Sequence, residues 1–512
     1  MARSGSNGSG DFYMKKNFEM RRARWKVIVA AFGLAVCAGG CTYFAEQPEV
    51  YPDKFAPQES DRAWTPNHGA ANEYVIPMQD RPPSTLPEPR VASVSNQYDL
   101  PALIDIALSN NPDTRLTWYQ ARAAADAYGV SRAPYYPVVS SQVSGGYERE
   151  IFQLPGQNAV LRQWQVTPTL EFTYILLDFG RRDAGAAAAR AQLAAANFSF
   201  NRRLQDVVFE TQRAFYSIGA AKAAVLAAEQ NVELAKTDDE AVSRRVDLGL
   251  ATQPELLLSR QRVAQSLYDL ASARLLVREA QASMAVALGV AANTALDVPS
   301  LDSIPIPAGL GSEVDQLIQT AVRSRPDLAA QVATLDARRA AVDQAKAQFY
   351  PTVGVAGAYG LQAWQYKYDG TKTVDANQPQ YTALLTVNWD IFTGFKRLND
   401  VRGAEAARDA AGAQLKSLEV DAISSVWRAY YEFQTALSRY QYAKALLAAS
   451  QESYDANLDT YRQGLSTIVE LLTADRDLAN ARYTIVQSRA DLLTSSAAVA
   501  YAVGAIEMPR RP

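Results

Sequence analysis

The chain has 512 residues, two cysteines, a single histidine and a formal net charge of −3. So few cysteines exclude a disulfide framework or a thiolate metal cluster, and packing must therefore supply the stability. Nucleic-acid binding usually requires a basic surface, which this acidic chain lacks. The sequence contains neither a phosphate-binding glycine loop nor a metal-ligand cluster, so we expect no metal and no cofactor.

Residues 1–40 have the layout of a bacterial signal peptide. A basic stretch precedes the apolar run 27–38, which is too short to cross a bilayer comfortably as a helix. The run ends in the sequence AGGC at 38–41, which is similar to a lipobox with Cys41 as the lipidated residue, although Ala38 replaces the usual Leu. Cys37 is a rival site, and a free cysteine at the end of a signal peptide is the alternative interpretation.

Cleavage before Cys41 would leave a more acidic mature chain. Seven Lys or Arg and two acids precede Cys41, so the mature chain would carry a net charge of −8. Residues 41–98 are predicted to be a lipid-anchored, Pro-rich extension, with prolines from Pro48 to Pro89. The single histidine, His68, lies in this extension, where a solvated loop position is expected rather than a general base.

The rest of the chain is a duplication. Two motifs recur at an offset of 214 residues: Asn111-Pro112-Asp113 as Arg325-Pro326-Asp327, and Tyr136-Pro137 as Tyr350-Pro351. At an offset of 215 residues, Gly249-Leu250 recurs as Gly464-Leu465 and Glu255 as Glu470. We predict a first structural repeat at 99–289, a linker at 290–312 rich in Pro and small residues, a second repeat at 313–506 and a tail at 507–512.

Each repeat begins with a helix that two strands follow. The strands are predicted at about 138–150 and 163–177 in the first repeat, and at about 352–366 and 381–392 in the second. Apolar and polar residues alternate in them, as with Phe172 on one face and Glu171 on the other. This alternation is typical of a transmembrane β-barrel, and a soluble sandwich is the alternative.

Four strands in one chain are too few for a closed barrel, because bacterial barrels need at least about eight. An open sheet in lipid would leave backbone groups without hydrogen bonds. The barrel is therefore expected to be shared among subunits.

Two long helices complete each repeat, at about 184–248 and 253–288 in the first and about 396–463 and 467–503 in the second. Apolar residues recur every seven positions and predict a coiled-coil seam, with ordinary helical-bundle faces as the alternative. The stretch 184–248 contains no proline and would extend about 95 Å as a helix. This length favours a tube or rod over a compact domain. The seam residues are Leu256, Val263, Leu270, Val277 and Met284, with Leu471, Leu478, Ile485, Leu492 and Val499 as their counterparts.

The order of elements resembles that of the TolC family of outer-membrane efflux channels, from about Leu100 to Ile506. Four motifs carry the resemblance: Asn111-Pro112-Asp113, Tyr136-Pro137, the turn GLAT at 249–252, and the segment GLSTIVELL at 464–472. The resemblance implies a mainly α fold with a transmembrane β-barrel. Twelve strands pooled by a homotrimer would form the barrel, which a periplasmic α-helical coiled-coil barrel would continue.

The resemblance also implies partners. These are a periplasmic adaptor (membrane fusion) protein and an inner-membrane pump such as a proton-driven transporter. The lipobox and the Pro-rich extension are similar to those of the lipoprotein branch of the family, which implies an anchor in outer-membrane lipid at Cys41.

A gate at the periplasmic tip is a further implication of the resemblance. Glu470 matches the first pore acid of the family, and Thr473 stands where some members have a second. Three copies of Glu470, aided by Glu255, would form an electronegative pore constriction that attracts cations and repels anions. The alternative is that both glutamates are solvated residues beside a helix turn.

Two other features of the family tip match residues of this chain. Tyr461 and Glu255 match a gate link between neighbouring helix pairs, whereas Ser466 replaces an Arg that forms a salt bridge in some members. The tip turns that would contact the adaptor contain Gly249, Leu250, Gly464 and Leu465.

We expect a passive exit duct of a tripartite efflux or export system and not an enzyme. Asp178, Asp390 and Glu171 lie on predicted strands or at their ends, where a polar lumen accounts for them. A type I protein secretion channel is the alternative within the family. A non-conducting periplasmic coiled-coil lipoprotein scaffold would explain Cys41 and the heptads but not the strands. The lipoprotein resemblance favours small-molecule efflux.

Overall fold

A computed structural model describes residues 59, 61–65, 98–154, 157–290, 297–301, 304–306, 309–310, 313–368 and 373–506. The signal peptide, Cys41, His68 and the tail at 507–512 lie outside the described residues, as does most of the Pro-rich extension. The part of the extension that is described lies against the first long helix, because Trp64 and Asn201 exchange two hydrogen bonds of 2.7 and 2.6 Å between backbone and side-chain amide.

The two repeats contain the same helices and strands in the same order. The first repeat contains α1 (Leu100–Asn110), α2 (Pro112–Ser131), β1 (Val138–Leu154), β2 (Gln157–Leu177), α3 (Arg181–Asp247) and α4 (Gln253–Leu288). The second contains α5 (Val314–Ser324), α6 (Pro326–Ala347), β3 (Thr352–Tyr368), β4 (Val374–Asn388), α7 (Lys396–Arg462) and α8 (Ile468–Val503). No described helix has both the length and the apolar character that a membrane span requires.

The helix predicted before the strands of each repeat is in fact two helices. The chain breaks at Asn111-Pro112 and again at Arg325-Pro326, because Pro disfavours a helical conformation in the residue before it and suits the first position of a new helix. Asn111 caps α2 by accepting a hydrogen bond from the Asp113 backbone amide at 2.8 Å. The recurrent motif therefore marks a helix junction in both repeats.

Several predicted boundaries were wrong. β2 begins at Gln157 rather than at about 163, and β4 covers Val374–Asn388 rather than 381–392. In the first half of β4, Val374 and Ala376 lie on the face opposite to that of Tyr381, so no single period-two alternation extends through the whole strand. Trp389 instead lies beyond the strand, where its indole nitrogen donates to the Phe349 carbonyl at 3.1 Å. α3 begins at Arg181, three residues before the predicted start.

The strands form one antiparallel sheet in the order β1-β2-β3-β4, so β2 and β3 join the two repeats. The register places the mainly apolar rows of the four strands side by side on one face of the sheet. Ser141, Leu170, Tyr359 and Tyr381 are successive cross-strand neighbours, and the adjacent row on the opposite face contains Gln142, Thr169, Gly360 and Gln380. The sheet therefore has a mainly apolar face and a mainly polar face, and Leu170, Tyr359 and Tyr381 on the apolar face are exposed in the single chain.

The long helices pack as two antiparallel hairpins. We call α3 with α4 hairpin 1, and α7 with α8 hairpin 2. Each hairpin has an apolar cluster with the short helix that begins its repeat, centred on Leu204 and Met284 in hairpin 1 and on Phe433 and Leu492 in hairpin 2. A third cluster near the helix turns joins both hairpins and includes Leu256, Leu471 and Leu478 from the predicted seams.

Candidate gate at the hairpin turns

Two glycines end the long helices at the turns. Gly249 and Gly464 have φ values of 69° and 79°, a left-handed conformation that glycine adopts without steric cost. After each glycine, a backbone amide reaches back over the last helical turn: Leu250 donates to the Arg245 carbonyl at 2.7 Å and Leu465 to that of Thr460 at 2.9 Å. These are the bonds of a Schellman cap. The matching glycines thus reverse the chain in the same way in both repeats.

The turns carry exposed apolar side chains. Leu250 is 66% exposed, Leu465 76% and Val469 60%. These three side chains lie beside the two glycines, at the end of the hairpins that is remote from the sheet. The four residues predicted to contact an adaptor, Gly249, Leu250, Gly464 and Leu465, are therefore at the surface of the single chain.

The two glutamates predicted at the pore constriction cap helices in the single chain. A carboxylate oxygen of Glu470 accepts a hydrogen bond from the Thr467 backbone amide at 2.8 Å, and one of Glu255 accepts from Thr252 at 3.0 Å. Both are third-position acids of a capping box. Glu470 is exposed and Glu255 half-buried. Capping fixes both side chains beside their turns.

Ser466 and Thr473 stand where the sequence analysis expected charged residues in some members of the family. Both hydroxyl groups form hydrogen bonds with residues a few positions away in the chain. Ser466 shares a hydrogen bond of 3.1 Å with the Thr460 hydroxyl, and the Thr473 hydroxyl donates to the Val469 carbonyl at 2.7 Å. Neither side chain supplies a charge to the tip.

Tyr461 lies inside the turn end rather than at its surface. Its side chain is buried, and its hydroxyl has no hydrogen-bond partner among the described residues. Burial raises the pKa of the hydroxyl, and the nearby charge of Glu255 adds to the increase. Tyr461 and Glu255 are therefore close enough to interact electrostatically, although no hydrogen bond joins them within one chain.

Arg245 is a tip residue that the sequence analysis missed. Its guanidinium lies 4.5 Å from the centroid of the Tyr461 ring and donates a hydrogen bond to the Tyr461 carbonyl. Because Arg245 belongs to hairpin 1 and Tyr461 to hairpin 2, this contact joins the hairpins directly above the turns.

A buried polar layer, also missed, lies farther from the turns and joins the same two hairpins. Asp238 of α3 accepts a hydrogen bond from the Tyr454 hydroxyl of α7 at 2.9 Å. Arg262 of α4 forms an ion pair with Asp475 of α8. Asp238 is 1% exposed and Asp475 0%, so water does not screen these charges.

Arg482 extends the polar layer by one further contact between the hairpins. Its guanidinium donates to the Asn231 side chain of hairpin 1 at 2.9 Å and to Gln451 of its own hairpin at 3.3 Å. Burial lowers the pKa of this guanidinium. We call Asp238, Arg262, Tyr454, Asp475 and Arg482 the inter-hairpin layer.

One sequence signal for this layer exists. Asp475 lies four residues after Leu471 and three before Leu478, so it occupies an apolar position of the helix, where a charged side chain needs a partner. The pattern does not identify that partner, since Arg262 lies 213 residues away.

The three acids predicted to lie on the strands or at their ends have different environments. Asp178 is buried and pairs with Arg182 at 3.0 Å at the start of α3, so it is not a lumen residue as predicted. The Asp390 carbonyl accepts a hydrogen bond from Arg397, whereas Glu171 is exposed on the polar face of the sheet. Among the described residues, no group of three or more His, Cys, Asp or Glu side chains could hold a metal ion.

The chain matches known proteins over most of its length. The sequence profile of a family described as "Outer membrane efflux protein" matches residues 103–290 and 317–505. Protein CyaE of Bordetella pertussis is 28% identical over 447 residues, which cover 85% of this chain and 90% of CyaE. The probable efflux pump outer membrane protein TtgC of Pseudomonas putida is 23% identical over 414 residues, or 79% of this chain and 82% of TtgC.

The fold is also that of a solved channel. The structure of the outer-membrane channel OprN aligns with a TM-score of 0.70 at 20% identity, and the alignment covers 85% of this chain and 100% of OprN.

Proposed function

This chain belongs to the outer membrane efflux protein family, and we propose that it is the trimeric exit duct of a tripartite efflux system, with a cation-attracting gate at its hairpin turns. Proteins of this family are outer-membrane transport proteins and not enzymes. They operate with an adaptor and an inner-membrane pump. A toluene efflux pump outer membrane protein of Pseudomonas putida is among the relatives, which favours small molecules as the cargo of this chain.

The sheet is the observation that carries the proposal. Among the described residues, its edge strands, β1 and β4, each pair on one side only, and one face exposes large apolar side chains. Lipid would cover that face, but it provides no hydrogen bonds for the two edges. Three copies of the four-stranded sheet supply twelve strands, enough to close a barrel with β4 of each protomer beside β1 of the next.

The polar face of the sheet would then line the channel. Gln163 and Glu148 are hydrogen-bonded across β1 and β2 at 2.7 Å on this face, and Glu171 is exposed on it. A polar lumen and an apolar exterior are the arrangement that an aqueous pore in a membrane requires.

The hairpin turns supply the remaining parts of the proposal. The exposed Leu250 and Leu465 suit an apolar contact with a periplasmic adaptor. Glu470 is exposed in the first turn of α8, so three copies around a common axis would create an electronegative constriction. Tyr461 and Glu255 would restrain this constriction through the contact between their hairpins.

Lipidation of Cys41 would anchor the protomer in the outer membrane. Metabolic labelling of expressing cells with a palmitate analogue should modify the wild-type chain and leave Cys41→Ser unlabelled. Equal labelling of both chains would contradict the assignment of this cysteine.

Conductance in a planar lipid bilayer tests the duct and its gate. The purified protein should give small, cation-selective single-channel currents, and Glu470→Gln should reduce both the cation preference and block by divalent cations. Asp477→Asn is the matched control, because Asp477 is an exposed acid two turns farther along α8. Absence of any current would contradict the duct, whereas unchanged selectivity in Glu470→Gln would contradict the gate alone.

A further inference from the structure

Asp238 is a buried carboxylate without a cation in ion-pair contact among the described residues. Its one hydrogen bond comes from Tyr454, and its second oxygen has no hydrogen-bond partner among the described residues. Arg262, the cation of the layer on the adjacent helix, is paired with Asp475 instead. A buried carboxylate that lacks a paired cation is unstable in its charged form.

The groups around Asp238 do not supply the missing ion-pair partner. On α7 it faces Tyr454, Tyr461 and Arg462, and Arg462 is exposed to water at the helix end. On α8 it faces Asp475, a second negative charge. On α4 it faces Arg262, and its neighbour on α3, Asp239, accepts a hydrogen bond from Ser259.

We propose that Asp238 is a proton-binding site that tightens the junction between hairpin 1 and hairpin 2 when the pH falls. The proton would bind the carboxylate oxygen that now lacks a partner. Proton uptake thus removes one of two buried negative charges at the junction of the hairpins.

The direction of the pH effect follows from burial. Burial raises the pKa of Asp238 to about 6 from an ordinary value of 3.8, and the charge of Asp475 contributes to the increase. The closed junction therefore binds a proton that the separated hairpins release between about pH 6 and pH 4. Its stability is greater on the acidic side and decreases as the pH rises through about 6.

Hydrogen exchange in the full-length protein in detergent tests the proposal. Amides at 231–245 and 447–461 should open about tenfold less often at pH 5.0 than at pH 7.5, after correction for the intrinsic exchange rate. Asp238→Asn, which keeps the size of the side chain and removes the charge, should abolish this pH dependence. Glu240→Gln is the control, because Glu240 is an exposed acid two residues away, and it should retain the dependence.

A second variant distinguishes loss of the proton site from a general disturbance of core packing. Tyr454→Phe keeps Asp238 and removes a hydrogen bond that favours the charged carboxylate, so the midpoint of the pH dependence should rise. Wild-type protein without pH dependence, or Asp238→Asn with the wild-type dependence, would overturn the proposal.

The consequence for transport rests on the function proposed above, in which the contact between the hairpins restrains the constriction, so that a tighter junction keeps the constriction narrow. Channels should then open less readily at pH 5.0 than at pH 7.5. Conducting protein without the exchange effect would overturn only the proton site. The exchange effect in a protein that never conducts would overturn only the duct.

Discussion

At the scale of single residues, backbone conformation fixes the turns that carry the candidate gate. Gly464 has φ +79°, and no backbone atom crowds a Cβ built there, so conformation rather than space requires glycine. Asn111 fixes a helix junction instead. The oxygen of its buried side-chain amide caps α2, and the nitrogen of that amide donates to the Ala287 carbonyl at 3.0 Å.

Gly464→Ala should destabilise the helical hairpins by about 1–2 kcal/mol, because an L-residue is strained in the left-handed region. Gly403→Ala should have the opposite sign and stabilise by up to about 1 kcal/mol, since Gly403 lies within α7 and an added Cβ there meets nothing within 4 Å. Circular dichroism during thermal unfolding measures both. Equal shifts in the two variants would contradict a conformational role for Gly464.

Asn111→Ala should reduce the free energy of unfolding by about 1–3 kcal/mol, because the Ala287 carbonyl and the first amides of α2 lose a buried partner. The exposed neighbour Asn110 provides the control, and Asn110→Ala should change stability little. The same unfolding experiment compares them, and equal losses would contradict the capping role.

At the scale of elements, the inter-hairpin layer joins the two hairpins in addition to the apolar cluster near the turns and the contact of Arg245 with Tyr461. Removal of Arg262 alone leaves the buried carboxyl group of Asp475 without its ion-pair partner, so Arg262→Met should cost about 3–5 kcal/mol. The double variant Arg262→Met with Asp475→Leu should regain most of that loss. Hydrogen exchange of α4 and α8 provides the readout, and additive losses in the double variant would show that the pair is not coupled.

The elements themselves were largely predictable, since the duplication, the alternating strands and the heptads are periodic features. The turns were predictable for a similar reason, because Gly249 and Gly464 occupy matching positions in the two repeats. The inter-hairpin layer was not, since its members come from four helices and none has a counterpart of the same type in the other repeat. The polar start of β4 was missed because strand pairing, and not alternation, holds it in the sheet.

At the scale of the whole molecule, the proposed barrel needs more strands than one chain supplies. The apolar face of the sheet is exposed, and in lipid the edges of β1 and β4 would pair with strands from other copies. The hairpins depend less on neighbouring copies, because water can form hydrogen bonds with their exposed polar side chains. Assembly is therefore expected to depend on the strands first, with the hairpins aligned by the closed barrel.

Native mass spectrometry of the detergent-purified, full-length protein tests the shared barrel most directly. The sheet predicts a single species with the mass of three chains, which persists when detergent is stripped and dissociates only when the strands unfold. A folded monomer with its strand content intact would contradict the shared barrel, and with it the exit duct.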